Sequence, residues 1–245
     1  MDKVNFGSKK VNKDNKPELV SKIFSSVSNK YDLMNDAMSF GLHRIWKEKM
    51  YVACKLHDDE KILDIATGTG DIALKFLKKK NNLTITCLDE NPEMLRLCKD
   101  RLLDHGYIKG VKFNRSSMET AKVSKNYFSL ATIAFGFRNF TDHKKALKNI
   151  YKSLVPGGRL VIMEFTTPKN TVLKRIFENY THKVIPKIGE KLANDHDSYK
   201  YLAESIASFF TPSEVSDMLI DVGFENVRYE YIPGNMVTIH IGYKC

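Results

Sequence analysis

Apolar residues recur along this chain with two different periods. Near the N-terminus Leu19, Val20, Ile23, Phe24 and Val27 follow helical spacing behind Pro17, a residue suited to a first helical position. A second stripe, Met34, Met38, Leu42, Trp46 and Met50, predicts another amphipathic helix. From residue 61 onward the pattern changes to short apolar runs that alternate with helical stretches. Lys61-Ile-Leu-Asp-Ile65 reads as a strand, followed by a glycine-rich turn and a helix over 71–79. Leu83–Leu88 is the next strand, and Pro92 opens a helix running to His105. Val111–Phe113 is a short strand and Ser129–Ala134 a buried one. A helix over 144–154 stops at Pro156-Gly157-Gly158, and Arg159–Phe165 reads as a central strand.

Residues 166–210 carry no strand pattern, which predicts a helical insertion covering one end of the sheet. Thr211-Pro-Ser-Glu214 is a capping box with proline at the first helical position, and its helix ends at Gly223. Val227–Ile232 and Met236–Tyr243 are joined by Pro233-Gly234-Asn235, too short for a helical crossover, so they form an antiparallel hairpin. The alternation predicts a doubly wound α/β fold whose sheet is mostly parallel and closes on that hairpin. In such a sheet the ligand sits at the carboxyl ends of the strands. That directs attention to the loops after Ile65, Leu88, Ala134 and Phe165. A single domain is expected over 17–245, with 17–52 as a helical lid. Residues 1–16, polar and rich in Lys and Asn, are expected as a flexible tail.

Composition narrows the classes. The 42% hydrophobic content of these 245 residues supports a packed core and excludes wholesale disorder. No apolar run approaches the ~20 residues that span a bilayer, and the first residues lack the apolar core of a secretory signal. Cys54, Cys87, Cys98 and Cys245 form no C-x-x-C pair, which argues against a disulfide framework and fits a reducing cytoplasm. The net charge of +10 comes from 31 Lys and only 8 Arg. Scarce Arg argues against specific nucleic-acid reading, leaving a solvated surface or a basic face toward anionic lipid.

The chemistry concentrates at Asp64-Ile-Ala66-Thr-Gly68-Thr-Gly70-Asp71. Glycines let the backbone approach a ligand closely. Asp89, just past the second strand, is placed to bind ribose hydroxyls, and Gly68-x-Gly70-x-x-Ala73 fits a loose dinucleotide fingerprint. Asp64 stands before the glycines, where it would repel a pyrophosphate. A sulfonium nucleoside therefore suits the turn better than NAD(P). A turn without a ligand is the third reading. There is no H-E-x-x-H, Walker lysine or Gly-x-Ser-x-Gly pattern, so metal, nucleotide-phosphate and serine-hydrolase chemistry are not indicated. Asp195-His196-Asp197 reads as a loop rather than a metal site, and His240 as structural.

The turn, the acid after the second strand and the Pro-Gly-Gly turn resemble class I S-adenosylmethionine-dependent methyltransferases. Further stretches resemble the ubiquinone/menaquinone biosynthesis C-methyltransferase family over nearly the whole chain. They are Tyr31–Asp36, Ser39–Gly41, His43–Lys47, Leu63–Asp71, Phe135–Asn139, Leu154–Arg159, Met163–Phe165, Tyr201–Ile206 and His240–Gly242. The resemblance implies a Rossmann-like, seven-stranded sheet and S-adenosyl-L-methionine as cofactor, with S-adenosyl-L-homocysteine as product. It implies C-methylation of a polyprenyl-benzoquinol and/or demethylmenaquinol ring. Asp64, Ala66, Gly68, Thr69, Gly70, Asp89, Ser116, Ser117 and Ala134 are the implied cofactor contacts. The family usually has Asp or Asn followed by Ala where this chain has Ser116-Ser117, and often Ser where it has Ala134.

C-methylation needs carbon, methyl and sulfur in line and a phenolic proton removed or stabilised. Arg138 is expected to stabilise phenolate charge and help activate a bound water. Asn139 would orient the ring, and Tyr31 would fold over from the lid. The 34–50 stripe reads as core, with a groove for the isoprenoid tail as the alternative. A lipid-tailed quinol as substrate implies a cytoplasmic protein in peripheral contact with the inner face of the membrane, and no nucleic acid. A homodimer or association with other quinone-biosynthesis enzymes stays open.

Overall fold

The computed structural model describes residues 3–28, 36, 39, 41–107, 109–167 and 195–245. At its centre lies a seven-stranded sheet. Its strands are β3 (Lys61–Ile65), β4 (Thr84–Asp89), β5 (Val111–Arg115), β6 (Phe128–Ala134), β7 (Leu154–Phe165), β8 (Glu225–Tyr231) and β9 (Val237–Tyr243). The spatial order is β5-β4-β3-β6-β7-β9-β8. Pairings among β5, β4, β3, β6 and β7 are parallel, and β9 runs antiparallel to both β7 and β8. Strand order reverses between β3 and β6, which opens a crevice at their carboxyl ends.

Period-2 alternation splits the core into two layers. Ile62, Ile85, Leu130, Val161 and Ile239 face one side, and Leu63, Ile65, Ala131, Ile133 and Ile162 the other. The first layer meets α2 (Leu42–Cys54), α3 (Asp71–Lys79) and α4 (Pro92–Asp104); the second meets α5 (His143–Ser153) and α7 (Pro212–Val222). The capping box forms as the sequence predicts: Glu214 N–H donates to Thr211 Oγ1 and Thr211 N–H to Glu214 Oε2. The 34–50 stripe divides. Trp46 and Met50 enter the core, Leu42 is exposed, and Met34 and Met38 lie outside the described residues.

Two segments differ from the sequence expectation. Residues 3–12, expected as a loose tail, form a hairpin of β1 (Lys3–Phe6) and β2 (Lys9–Asn12). Phe6 stacks on Tyr201 of α6 (His196–Ala207) with ring centroids 4.5 Å apart, and Ser8 N–H donates to Glu204. Distant partners thus hold a stretch whose own composition predicts none. Asp195, expected in a loop, caps α6 by accepting from Ser198 N–H at 3.0 Å. The rest of the expected insertion, 168–194, lies outside the described residues.

Candidate active site

The carboxyl ends of the parallel strands and α1 (Lys16–Val27) border an open cleft. Val20, Ser21 and Phe24 of α1 form its roof. Asn91 ties that roof down. Its Oδ1 caps α4 by accepting from Glu93 and Met94 N–H, while its Nδ2 donates to Ser21 O and Ser25 Oγ, both at 2.9 Å. One buried side chain thereby joins the helix over the cleft to the helix beside it.

The glycine turn wraps the floor. Ala66, Gly68 and Gly70 all take positive φ, at 51°, 56° and 82°. Gly70 opens α3, and a Cβ there would stand 2.6 Å from Cys98 Sγ, so close helix packing requires glycine. Asp64 does not face the cleft as expected. It shares a strand face with Ile62, and its carboxylate accepts from Thr67 Oγ1 at 2.6 Å and Thr132 Oγ1 at 2.7 Å. Burial raises this carboxyl to about 6 despite those two donors. Asp64 therefore braces the turn from behind, and the acids that would repel phosphate are Asp89, Glu90 and Glu119, which do line the cleft.

Asp89 sits where the sequence places it. Its Oδ2 accepts from Gly68 N–H at 2.8 Å and its Oδ1 from Asn91 N–H at 2.9 Å. Burial raises its carboxyl to about 6, against those two donors. Gly68, Ser116, Ser117 and Ala134 also border the cleft, as does Ala66. Thr69 and Gly70 follow Gly68 in the same turn, next to the cleft lining. Asp71 pairs with both Lys47 and Arg101; burial acts to raise its carboxyl, and those cations overcome burial and hold it low.

The loop after β6 carries the expected catalytic pair, and the structure separates the two. Asn139 lines the cleft, and its Oδ1 accepts from Tyr201 Oη at 3.0 Å. Burial raises the Tyr201 hydroxyl to about 12, so it stays a donor. Arg138, expected at the ring, turns away instead. Its guanidinium pairs with Glu164 at 2.9 Å, donates to Phe135 O and reaches Ser205 Oγ at 3.3 Å. The side chain is nearly all buried, and a guanidinium taken from water needs the carboxylate that Glu164 supplies. Tyr31 lies outside the described residues. Gly136 borders the cleft at a close approach: a Cβ there would stand 2.5 Å from Ala66 Cβ. Phe135 adds an aromatic wall with Phe165 and Trp46, at centroid distances of 4.6 and 5.9 Å. His240 lies off the cleft, on β9, against Thr238 and Tyr229.

Three participants escaped the sequence reading: Asn91, Glu90 and Tyr201. For Asn91 a signal existed, since Asn before Pro92 is a helix-cap pattern. Tyr201 opens the family-like stretch Tyr201–Ile206, which marks the residue but not its role, and Glu90 carries no local mark.

The cleft fits a nucleoside-bearing sulfonium cofactor on two observations. Thr69 Oγ1 is buried without a hydrogen-bond partner, and the space beside Gly68 is empty to 4 Å. Comparison with known proteins agrees. The profile of the ubiE/COQ5 methyltransferase family matches residues 9–244. The chain is 40% identical over 240 residues to the ubiquinone/menaquinone biosynthesis C-methyltransferase UbiE of Proteus mirabilis, covering 98% of this chain and 96% of that one. It is 42% identical over 248 residues to the protein of the same name from Rickettsia felis, covering all of both. A solved structure from Thermotoga maritima, described as an S-adenosylmethionine-dependent methyltransferase, shares the fold. It has a TM-score of 0.60 at 20% identity, covering 91% of this chain and all of that one.

Proposed function

Because the chain belongs to the ubiE/COQ5 methyltransferase family, we propose that it methylates a ring carbon of a polyprenyl-benzoquinol, a demethylmenaquinol or both, using S-adenosyl-L-methionine, in ubiquinone/menaquinone biosynthesis. The observation that carries this reading is similarity over the whole chain at about 40% identity, joined to a phosphate-repelling cleft at the strand ends. When bound, the cofactor supplies a sulfonium methyl group to a carbon nucleophile. Gly68, Thr69 and Asp89 are the residues that would hold it. The Thr69 hydroxyl has a buried oxygen to satisfy, and Asp89 offers a carboxylate already pinned by two backbone N–H groups.

On the ring side, Tyr201 fixes the Asn139 oxygen and leaves the amide N–H pair free to donate to a quinol oxygen. Arg138 acts as a positioning residue, holding the turn Phe137–Asn139 against Glu164. Phe135 excludes water from the same wall. Tyr31 keeps its expected part as a lid residue within this proposal. Incubating the purified chain with S-adenosyl-L-methionine and each demethylated quinol, with mass detection of the product, tests the reading. Methylation of neither quinol would overturn it.

An isoprenoid tail keeps such a quinol in a bilayer. Among the described residues no helix is long and apolar enough to cross a membrane. The proposed mode is peripheral, at the inner face of the membrane. Ile45 and Val52, 54% and 63% exposed on the outward side of α2 beside exposed Lys49, support it by joining apolar and basic groups on one surface. Co-sedimentation with anionic but not neutral vesicles, weakened by salt, is the expected result.

A further inference from the structure

Asp89 and Glu90 are consecutive and both line the cleft, yet they are bonded differently. Both Asp89 oxygens are engaged by the backbone of Gly68 and Asn91, on the side of the glycine turn. Glu90 lines the same cleft, where its carboxyl senses Glu119, Asp89 and Lys16. Glu119 already accepts from Thr141 and Asp142 N–H, and Lys16 Nζ already donates to Phe140 O at 2.8 Å. The nearby hydroxyls are also engaged. Ser116 Oγ donates to Asn114 Oδ1 at 3.1 Å, and Ser117 Oγ meets Thr120 Oγ1 at 3.1 Å.

Glu90 alone among these cleft acids forms no hydrogen bond or ion pair with a described residue. Burial, then Glu119 and Asp89, raise its carboxyl to about 7, with Lys16 opposing. A half-buried carboxylate without a donor is costly, and a ligand N–H in that place would relieve the cost. With ribose hydroxyls at Asp89, the attached purine would have Glu90 and the Ser116–Glu119 segment within its reach, since all of them line the one cleft.

We propose that the Glu90 carboxylate accepts a hydrogen bond from the exocyclic 6-amino group of the cofactor's adenine and so selects a 6-aminopurine over a 6-oxopurine nucleoside. This assignment rests on the cleft holding S-adenosyl-L-methionine. A 6-oxo group presents lone pairs to the carboxylate instead of a donor. A site built to hydrogen-bond one substrate group discriminates strongly against an analogue lacking it.

The test is calorimetric binding of S-adenosyl-L-homocysteine and S-inosyl-L-homocysteine to the full chain at pH 8.5, where Glu90 is ionised. The wild-type protein should prefer the adenosyl compound by at least about tenfold. In Glu90→Gln the amide can donate to a 6-oxo group, and the ratio should fall toward one. Asp89→Asn should weaken both nucleosides alike and leave the ratio intact. A ratio unchanged in Glu90→Gln would overturn the proposal. A wild-type chain that binds neither nucleoside would instead overturn the reading of the cleft, and this assignment with it. The wild-type ratio at pH 6 needs no variant. Protonation of Glu90, which faces Asp89, Glu119 and Lys16, should lower the ratio, and a constant ratio between the two pH values counts against the assignment.

Discussion

The guanidinium of Arg138 and the carboxylate of Glu164 form a buried ion pair at 2.9 Å, with the Arg138 backbone N–H also donating to Glu164 at 3.1 Å. This pair joins the loop after β6 to the end of β7 and so sets where Asn139 stands in the cleft.

Removing one charge from the pair should cost more than removing both. Glu164→Gln keeps the shape but leaves the Arg138 charge buried and uncompensated, a loss of about 3–5 kcal/mol in unfolding free energy. The double variant Arg138→Met with Glu164→Leu should lose less than the sum of its single changes. Denaturant titration of the wild type, Glu164→Gln, Arg138→Met, Glu164→Leu and the double variant checks this. Simple additivity would mean that the two side chains act independently.

Thr69→Val should separate stability from binding. The hydroxyl has no protein partner, so an isosteric methyl leaves the ligand-free protein as stable or slightly more so. Affinity for S-adenosyl-L-homocysteine should fall by about 0.5–1.5 kcal/mol, the net worth of one hydrogen bond. Thermal melting with and without the ligand reads both quantities.

Gly136→Ala should weaken both stability and binding, because its Cβ would stand 2.5 Å from Ala66 Cβ. Ala66→Gly removes that obstacle and also relieves a residue held at φ 51°. The double variant should therefore recover most of the loss. Failure to recover would place the strain somewhere other than the contact between these two loops.

His240 should impose a pH slope unrelated to catalysis. Burial lowers its imidazole from 6.5 to about 4, so the folded state disfavours the proton. A depressed folded value contributes stability above the unfolded pKa and loses it as pH falls from 6.5 toward 4. His240→Gln lacks this slope. Its deficit relative to wild type should shrink by about 2 kcal/mol between pH 7.5 and pH 5. Equal gaps at both pH values would show that the imidazole titrates normally.

Much of the frame was legible because it is written in local chemistry. Gly68, Gly70 and Asp89 stand as their spacing predicts, since a tight turn between strand and helix admits few residue types. Most boundaries moved by a residue or two, and the start of β7 moved by five. β7 begins at Leu154, ahead of the Pro-Gly-Gly turn, because Leu154 pairs with Phe128 before the register shifts. The inward turn of Asp64 was also legible in retrospect, since strand period puts it on the face of Ile62.

By itself, then, the sequence determined the α/β alternation, the closing hairpin, the glycine turn and the acid that follows the second strand. Each depends on steric and hydrogen-bonding preferences within a few residues. Tertiary structure alone decided that residues 3–12 pair and dock on Tyr201, that Arg138 faces Glu164 while Asn139 faces the cleft, and that Glu90 keeps a free carboxylate beside Asp89. Those outcomes depend on which buried charge finds a partner and which surface finds a neighbour. Partners brought together from distant parts of the chain settle both, and no short window of sequence contains them.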